Sequence, residues 1–163
     1  MSGGSRRQRG FTYLLLLAVI AVSGAALAAM GQLASHARQR EKEAELLFVG
    51  DQYRDAIHSY YERSPGGAKR YPQKLEDMLQ DVRVPTVQRY LRRLYRDPIT
   101  GKPDWGLVQA PEGGIMGVYS LSEDAPVKTG AFPSADAAFE DPAVTKYSDW
   151  KFTYSPPGLP ASK

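Results

Sequence analysis

The chain of 163 residues contains no cysteine, so it has no disulfide framework, thiol nucleophile or cysteine-ligated zinc site. It has only two histidines, and neither belongs to the HExxH arrangement of a zinc peptidase. The stretch GVYSLS (residues 117–122) lacks the second glycine of a nucleophile elbow. GGIMG (residues 113–117) lacks the spacing of a phosphate-binding loop. Because no catalytic motif is recognisable, the sequence predicts that the protein is not an enzyme.

Acidic residues are absent from the first ten positions, whereas Arg6, Arg7 and Arg9 all precede Gly10. The formal net charge of +3 comes from 21 basic and 18 acidic side chains, so without these three arginines 18 basic side chains face 18 acidic ones. The body of the chain is therefore neutral, and its overall charge does not support nucleic-acid binding.

Charged side chains are also missing from residues 10–37, which contain no Asp, Glu, Lys or Arg. A membrane-spanning helix needs about 20 mostly apolar residues, and residues 11–34 supply them. The arginines before this segment would keep the amino end in the cytoplasm. The sequence thus predicts a transmembrane segment over residues 11–34.

Several kinds of leader fit this start. A twin-arginine leader fits SRRQRGF poorly, because an arginine and a glycine separate the arginine pair from the first apolar residue. A secretory signal peptide would use ALA at residues 26–28 as its cleavage site, and an uncleaved signal anchor would keep the whole segment.

The sequence RG followed by FTYLLLLAVIAV (residues 9–22) resembles the leader and start of type IV pilins and type II secretion pseudopilins. This resemblance implies that a prepilin peptidase removes the leader, residues 1–10, by cutting between Gly10 and Phe11, and then methylates Phe11. The family usually has a glutamate at the fifth mature position, where this chain has Leu15. That glutamate pairs with the terminal amine of a neighbouring subunit, so Leu15 suggests a specialised subunit.

Helical periodicity continues after the apolar segment, with apolar residues at three- and four-residue spacing up to the SPGG stop at residues 64–67. We therefore expect one long stem helix whose second half covers residues 35–64. A head over residues 65–155 should follow, with short helices at residues 71–81 and 85–98 and strands at residues 105–109, 116–121 and 150–154. Residues 156–163 should form a flexible tail.

The stretches YPQKLEDM, RDPITGKPDWGLV and DWKF resemble the head of type II secretion pseudopilins, especially the major one. The implied fold is α+β and pilin-like: a long amino-terminal stem helix with a transmembrane first half, short helices and a small antiparallel sheet. The implied function is that of a structural subunit of a periplasmic pseudopilus that drives protein export. The protein would lie in the bacterial inner membrane, single-pass, with its head in the periplasm. Its partners would be other pseudopilins, the prepilin peptidase and the inner-membrane secretion platform.

Two alternatives stay open beside this interpretation. The first is a type IV or competence pilin that builds a surface fibre or assists DNA uptake. The second is a signal-anchored periplasmic binding module or enzyme.

Four arginines recur at i, i+3, i+4 and i+7 of the expected second short helix, on one face. They could contact acids on the stem of the next subunit, contact phosphates or form an ordinary solvated face. The candidate subunit contacts are Arg89, Arg92, Arg93, Arg96, Glu43 and Glu45.

Acidic residues cluster around a long loop, residues 122–148. The major pseudopilin holds calcium in a carboxyl-terminal loop, and hard carboxylate oxygens suit calcium. The resemblance therefore suggests Asp124, Asp141 and Asp149 as candidate Ca²⁺ ligands. An ordinary polar loop is the alternative.

Overall fold

A computed structural model describes residues 6–157 of the chain, and of residues 6–11 and 24–35 it describes the backbone alone. Its regular elements are one long helix, α1 (Arg6–Glu62), and three strands, β1 (Gly106–Gln109), β2 (Ile115–Tyr119) and β3 (Phe152–Thr153). Short 3-10 helices lie at Pro65–Gly67, Leu75–Met78, Ser134–Glu140 and Tyr147–Asp149. The described part divides into two units, one ending at Gln39 and the other beginning at Arg40. We call residues 40–157 the head unit.

The core of the head unit is built on one face of α1. Its buried residues recur at helical spacing, which gives the helix one continuous apolar stripe; they are Leu46, Val49, Tyr53, Ala56, Ile57, Tyr60 and Tyr61. Trp105, Val118, Trp150 and Phe152 bring further large buried side chains to the same core. Burying each large apolar side chain contributes about 1.5–3 kcal/mol, so this stripe is the main support of the head.

The sheet is antiparallel with strand order β1-β2-β3. Val118 at its centre pairs with Leu107 of β1 and with Phe152 of β3. The β1–β2 connection turns at Gly113 and Gly114, whose φ angles of 92° and 87° favour glycine. The small antiparallel sheet and its three strands are confirmed close to the expected positions.

The expected transmembrane segment over residues 11–34 is wrong. Within the described residues, no helix is long and apolar enough to cross a membrane. This finding overturns the pilin-like fold with a transmembrane first half to its stem. It equally overturns the expected single-pass location in the inner membrane with a periplasmic head.

The short helix expected over residues 85–98 is also absent. The segment is irregular, with one isolated bridge between Asp81 and Gln88. The backbone N–H groups of Tyr90 and Leu91 both donate to the carbonyl of Met78, at 2.9 and 3.0 Å. Because those donors are used across the chain, they cannot close helical turns within the segment. Where a helix over residues 71–81 was expected, only the 3-10 helix Leu75–Met78 forms.

The carboxyl end of α1 is closed by Arg83. Its guanidinium donates to the carbonyl of Tyr60 at 3.0 Å and to the hydroxyl of Ser64 at 2.9 Å. It also pairs with the fully buried carboxylate of Asp81 at 2.7 Å and lies 3.5 Å from the centre of the Tyr60 ring. The hydrogen bonds from Arg83 hold the pKa of Asp81 below its ordinary value of 3.8. Arg83 thus satisfies a helix-end carbonyl and a buried charge together.

Replacing Arg83 with methionine should lower the free energy of unfolding by about 3 kcal/mol at pH 7, because it leaves the Asp81 carboxylate buried without its partner. A lowered pKa stabilises the fold above the ordinary value and loses that effect as the pH falls through the lowered pKa. The difference between wild type and Arg83→Met should therefore shrink below pH 3.8. Urea unfolding at a series of pH values measures this difference in the free energy of unfolding. Arg83→Lys keeps the positive charge but not the forked guanidinium group, so its free energy of unfolding should lie between those of wild type and Arg83→Met. If the difference between wild type and Arg83→Met did not change with pH, the role given to the Arg83–Asp81 ion pair would be contradicted.

Candidate functional site

The long loop between β2 and β3 is attached to α1 through Glu43, whose side chain is buried. One carboxylate oxygen, Oε1, accepts the backbone N–H groups of Val127 at 2.5 Å and Lys128 at 3.2 Å and the hydroxyl of Tyr147 at 2.9 Å. Buried polar groups are normally satisfied in this way. Glu43, a candidate subunit contact, therefore lies inside the head unit with its carboxylate engaged by its own chain.

A pocket of about 480 Å³ opens beside this attachment, between α1 and the loop. Its lining combines the Glu43 carboxylate with two cationic side chains and an apolar wall; the residues are Arg40, Glu43, Ala44, Leu47, Val127, Lys128, Thr129 and Gly130. Lys128 already donates to the carbonyl of Ala131 and lies 4.9 Å from the Phe132 ring.

A buried ion pair is the second attachment of the long loop to α1. Arg54 contacts Asp136 at 2.5 Å and Asp51 at 2.6 Å. Burial, and then the negative charge of Asp136, raise the pKa of Asp51. Two buried atoms, Asp136 Oδ2 and Trp150 Nε1, have no hydrogen-bond partner among the described residues. Such atoms are uncommon in native proteins.

Aromatic packing accounts for the order of the same loop. Phe139 stacks on Trp150 with ring centres 5.4 Å apart, and Phe132 meets both rings edge-on. Large rings of this kind contribute most of the apolar area in a small core. The loop is thus held by Glu43, by Arg54 and by this cluster.

The candidate calcium ligands make local backbone and side-chain contacts. Asp124 accepts the hydroxyl of Ser122, Asp141 accepts the N–H of Ala143, and Asp149 accepts the N–H groups of Thr145 and Lys146. Among the residues that the structure describes, no group of three or more metal-ligating side chains is arranged to hold an ion. Calcium binding stays a prediction.

Asp97 is a buried carboxylate that sequence reasoning did not single out. It accepts the N–H of Ile99 and the hydroxyl of Thr100, each at 2.9 Å, and the hydroxyl of Ser120 at 2.7 Å. These bonds fix the DPITG turn to the end of β2. The signal available in the sequence was an aspartate directly before a proline, which favours a side-chain-bonded turn.

The four candidate arginines lie in what we call the basic loop, residues 87–96. All four are exposed, and no salt bridge connects them to a described residue; they are Arg89, Arg92, Arg93 and Arg96. The backbone of this loop is fixed from below, because Tyr95 donates its N–H to the hydroxyl of Tyr53 at 3.0 Å and accepts the Trp105 indole N–H at 2.9 Å. The four cationic groups are thus exposed on a fixed backbone; Arg96 donates to the carbonyl of Gly101 at 3.4 Å, and Arg93 lies 5.1 Å from the centre of the Tyr95 ring.

Glu45 belongs to what we call the acidic face of α1, which consists of Glu45, Phe48 and Asp55. The three side chains are exposed and follow one another at spacings of three and seven residues, which places them on one side of the helix. Phe48 has 59 % of its surface exposed. The exposure of Phe48 could not be predicted from the sequence, because Phe48 lies in the continuous apolar run LLFV.

The predicted processing site, Gly10 and Phe11, lies outside the residues whose side chains are described. Leu15 is described and is 55 % exposed on α1.

No protein-family model matches this chain, and neither a curated protein nor a solved structure matches it. Its function therefore has to be inferred from its own residues.

Proposed function

We propose that this chain is a structural subunit of a type II secretion pseudopilus, matured by a prepilin peptidase that cuts between Gly10 and Phe11. Its partners are other pseudopilin copies, the peptidase and the secretion platform. The observation that carries the proposal is the apolar surface of α1 over residues 12–23.

Every described side chain of this segment is exposed, including eight large apolar ones. They are Tyr13, Leu14, Leu15, Leu16, Leu17, Val19, Ile20 and Val22. Four successive leucines point in four directions around a helix, since each residue turns by about 100°. The surface is therefore apolar on all sides, and an apolar patch of this extent marks a surface that another molecule covers.

Copies of the same helix provide such a cover. In a filament, one apolar segment meets several neighbours at once, so each of its sides is buried. Each buried leucine or isoleucine contributes about 1.5–3 kcal/mol, and eight large side chains supply enough to hold subunits together. A helix apolar on a single face would instead favour a dimer.

The pseudopilin-like stretches of the head support the proposal because their residues build the head. Tyr71 of YPQKLEDM is buried and donates its hydroxyl to the carbonyl of Tyr154 at 3.2 Å. Asp97 of RDPITGKPDWGLV locks the turn before β1, and Trp150 of DWKF is fully buried. The resemblance thus lies in residues that carry the fold.

Co-expression of the full chain with a prepilin peptidase should yield a mature protein that begins at Phe11 and is one methyl group heavier than its sequence. Gly10→Ala should leave the precursor at full length, because the resemblance implies that the peptidase requires a glycine directly before the cut. Amino-terminal mass spectrometry of both proteins measures this.

The matched control is Gly4→Ala, which should be processed like wild type. Cleavage after residue 28 would identify a secretory signal peptide instead. Normal maturation of Gly10→Ala would exclude prepilin processing altogether.

A further inference from the structure

We propose that the pocket between α1 and the long loop binds a small amphipathic carboxylate, with its charged group between Arg40 and Lys128 and its apolar chain along Leu47. This inference goes beyond the proposed function, because the occupant is a small molecule and not a copy of the chain. The two proposals can therefore fail independently.

The pocket has the size of a small-molecule site. Its volume is about 480 Å³, and ligand pockets in proteins commonly measure about 300–1,000 Å³. Four side chains at i, i+3, i+4 and i+7 of α1 form one wall, which places them on one side of the helix; they are Arg40, Glu43, Ala44 and Leu47. The opposite wall is a continuous segment of the long loop, residues 127–130.

The loop wall is already fixed in the free protein. The backbone N–H groups of Val127 and Lys128 donate to Oε1 of Glu43, and the hydroxyl of Tyr147 donates to the same oxygen. A wall held in this way does not have to be ordered when a ligand binds, so less of the binding free energy is lost to conformational entropy. The pocket is therefore preorganised.

The charge of the pocket favours an anion. Arg40 and Lys128 are its two cationic side chains, and Glu43 is its one acidic side chain. The Glu43 carboxylate already accepts three hydrogen bonds, whereas no salt bridge connects Arg40 or Lys128 to a described residue. Lys128 Nζ donates to a neutral group, the carbonyl of Ala131, at 3.1 Å. Two cations beside one carboxylate leave a single positive charge, which a monoanion neutralises.

The remaining lining favours a hydrocarbon chain attached to that anion. Ala44, Leu47 and Val127 are apolar, and Leu47 and Val127 are only half-buried, so apolar surface remains for a ligand to cover. Arg40 and Leu47 are seven residues apart on α1, which corresponds to about 10 Å along the helix axis. A carboxylate with an extended chain of similar length, such as octanoate, matches this arrangement. A phosphate carries nearly two charges and would be less well balanced.

Isothermal titration calorimetry of the full-length chain tests the site with octanoate below its micelle concentration. Octylammonium has the same chain and the opposite charge, so it reports uptake by the exposed apolar side chains of residues 12–23; acetate reports the charge alone. Octanoate should bind at a single site, and both controls should bind about tenfold more weakly or worse, since each lacks one half of the contact. Equal affinities for octanoate and octylammonium would overturn the proposal.

Charge reversal gives a result that non-specific uptake cannot imitate. The double variant Arg40→Glu with Lys128→Glu should lose octanoate binding about tenfold or more and should prefer octylammonium, because like charges repel at the site. Arg38→Glu with Lys102→Glu makes the same change in net charge at two exposed positions outside the lining, and it should bind octanoate like wild type. An unchanged preference for octanoate in the first double variant would refute the site.

A variant that keeps every charge provides the second arm. Ala44 is exposed at the helical wall, so Ala44→Trp should fill the pocket with an indole ring and weaken octanoate binding about tenfold or more. Its urea midpoint should equal that of wild type. Ala37→Trp lies two turns earlier on the same side of α1 and outside the lining, and it should bind octanoate normally. Wild-type affinity in Ala44→Trp would locate the octanoate elsewhere and would contradict the proposal.

Discussion

Replacing Gly50 with alanine is expected to destabilise the head unit by about 3 kcal/mol, the upper range for overpacking in a core. A Cβ atom at this position would lie 2.3 Å from Cδ1 and 2.4 Å from Cε1 of Phe152. The ring cannot retreat, because Phe152 is fully buried and meets Phe139 edge-on. At an ordinary helix position the same change would stabilise by about 1 kcal/mol, so the close approach of α1 to β3 reverses the sign.

Urea unfolding of wild type, Gly50→Ala, Phe152→Leu and the double variant measures this effect as a cycle. Phe152→Leu alone should cost stability through lost packing. In its presence the penalty of Gly50→Ala should largely disappear, because the smaller side chain leaves room for the methyl group. If Gly50→Ala were as stable as wild type when Phe152 is unchanged, the close contact of β3 with α1 at Gly50 would be contradicted.

Replacing Glu43 with alanine is expected to cost about 3 kcal/mol and to release the long loop from α1. The change leaves two backbone N–H groups and the Tyr147 hydroxyl without their shared acceptor. Hydrogen bonds to charged groups contribute about 1.5–3 kcal/mol each, and buried donors left unpaired add a desolvation cost. Because the three bonds share one oxygen, their contributions are not additive.

Hydrogen exchange resolved to single residues distinguishes this effect from general unfolding. The Val127 and Lys128 amides should lose protection in Glu43→Ala, while those of β2 should keep theirs. Glu43→Gln retains an acceptor oxygen and should lose less stability. Glu41→Ala, an exposed position on the same helix, should behave like wild type; protected loop amides in Glu43→Ala would show that the loop is held without this carboxylate.

The strands were predictable because their signals are local. Apolar residues alternate or cluster over short runs, and Gly113 and Gly114 mark the turn between β1 and β2. The buried stripe of α1 was equally visible from its spacing. In each case the periodicity that the sequence shows is the one that the structure uses.

Other features depended on contacts that periodicity does not encode. The basic loop shows helical spacing of arginines, yet the Met78 carbonyl takes the donors that a helix would need. Glu43 sits among Glu41, Lys42 and Glu45 and therefore looked like a surface residue, but its partners lie far along the chain. The membrane prediction, made from hydropathy over residues 11–34, was wrong: among the described residues no helix is long and apolar enough to span a membrane.

The attachment of Glu43 also sets the order in which the head can be built during synthesis. Its partners Val127 and Tyr147 follow it by 84 and 104 residues. A ribosome delivers α1 first, so Glu43 has no partner until the long loop has been synthesised. Contacts of such long sequence separation slow folding. The side of α1 that receives the long loop therefore stays uncovered until late in synthesis, and a chaperone or a wrong neighbour would meet it there.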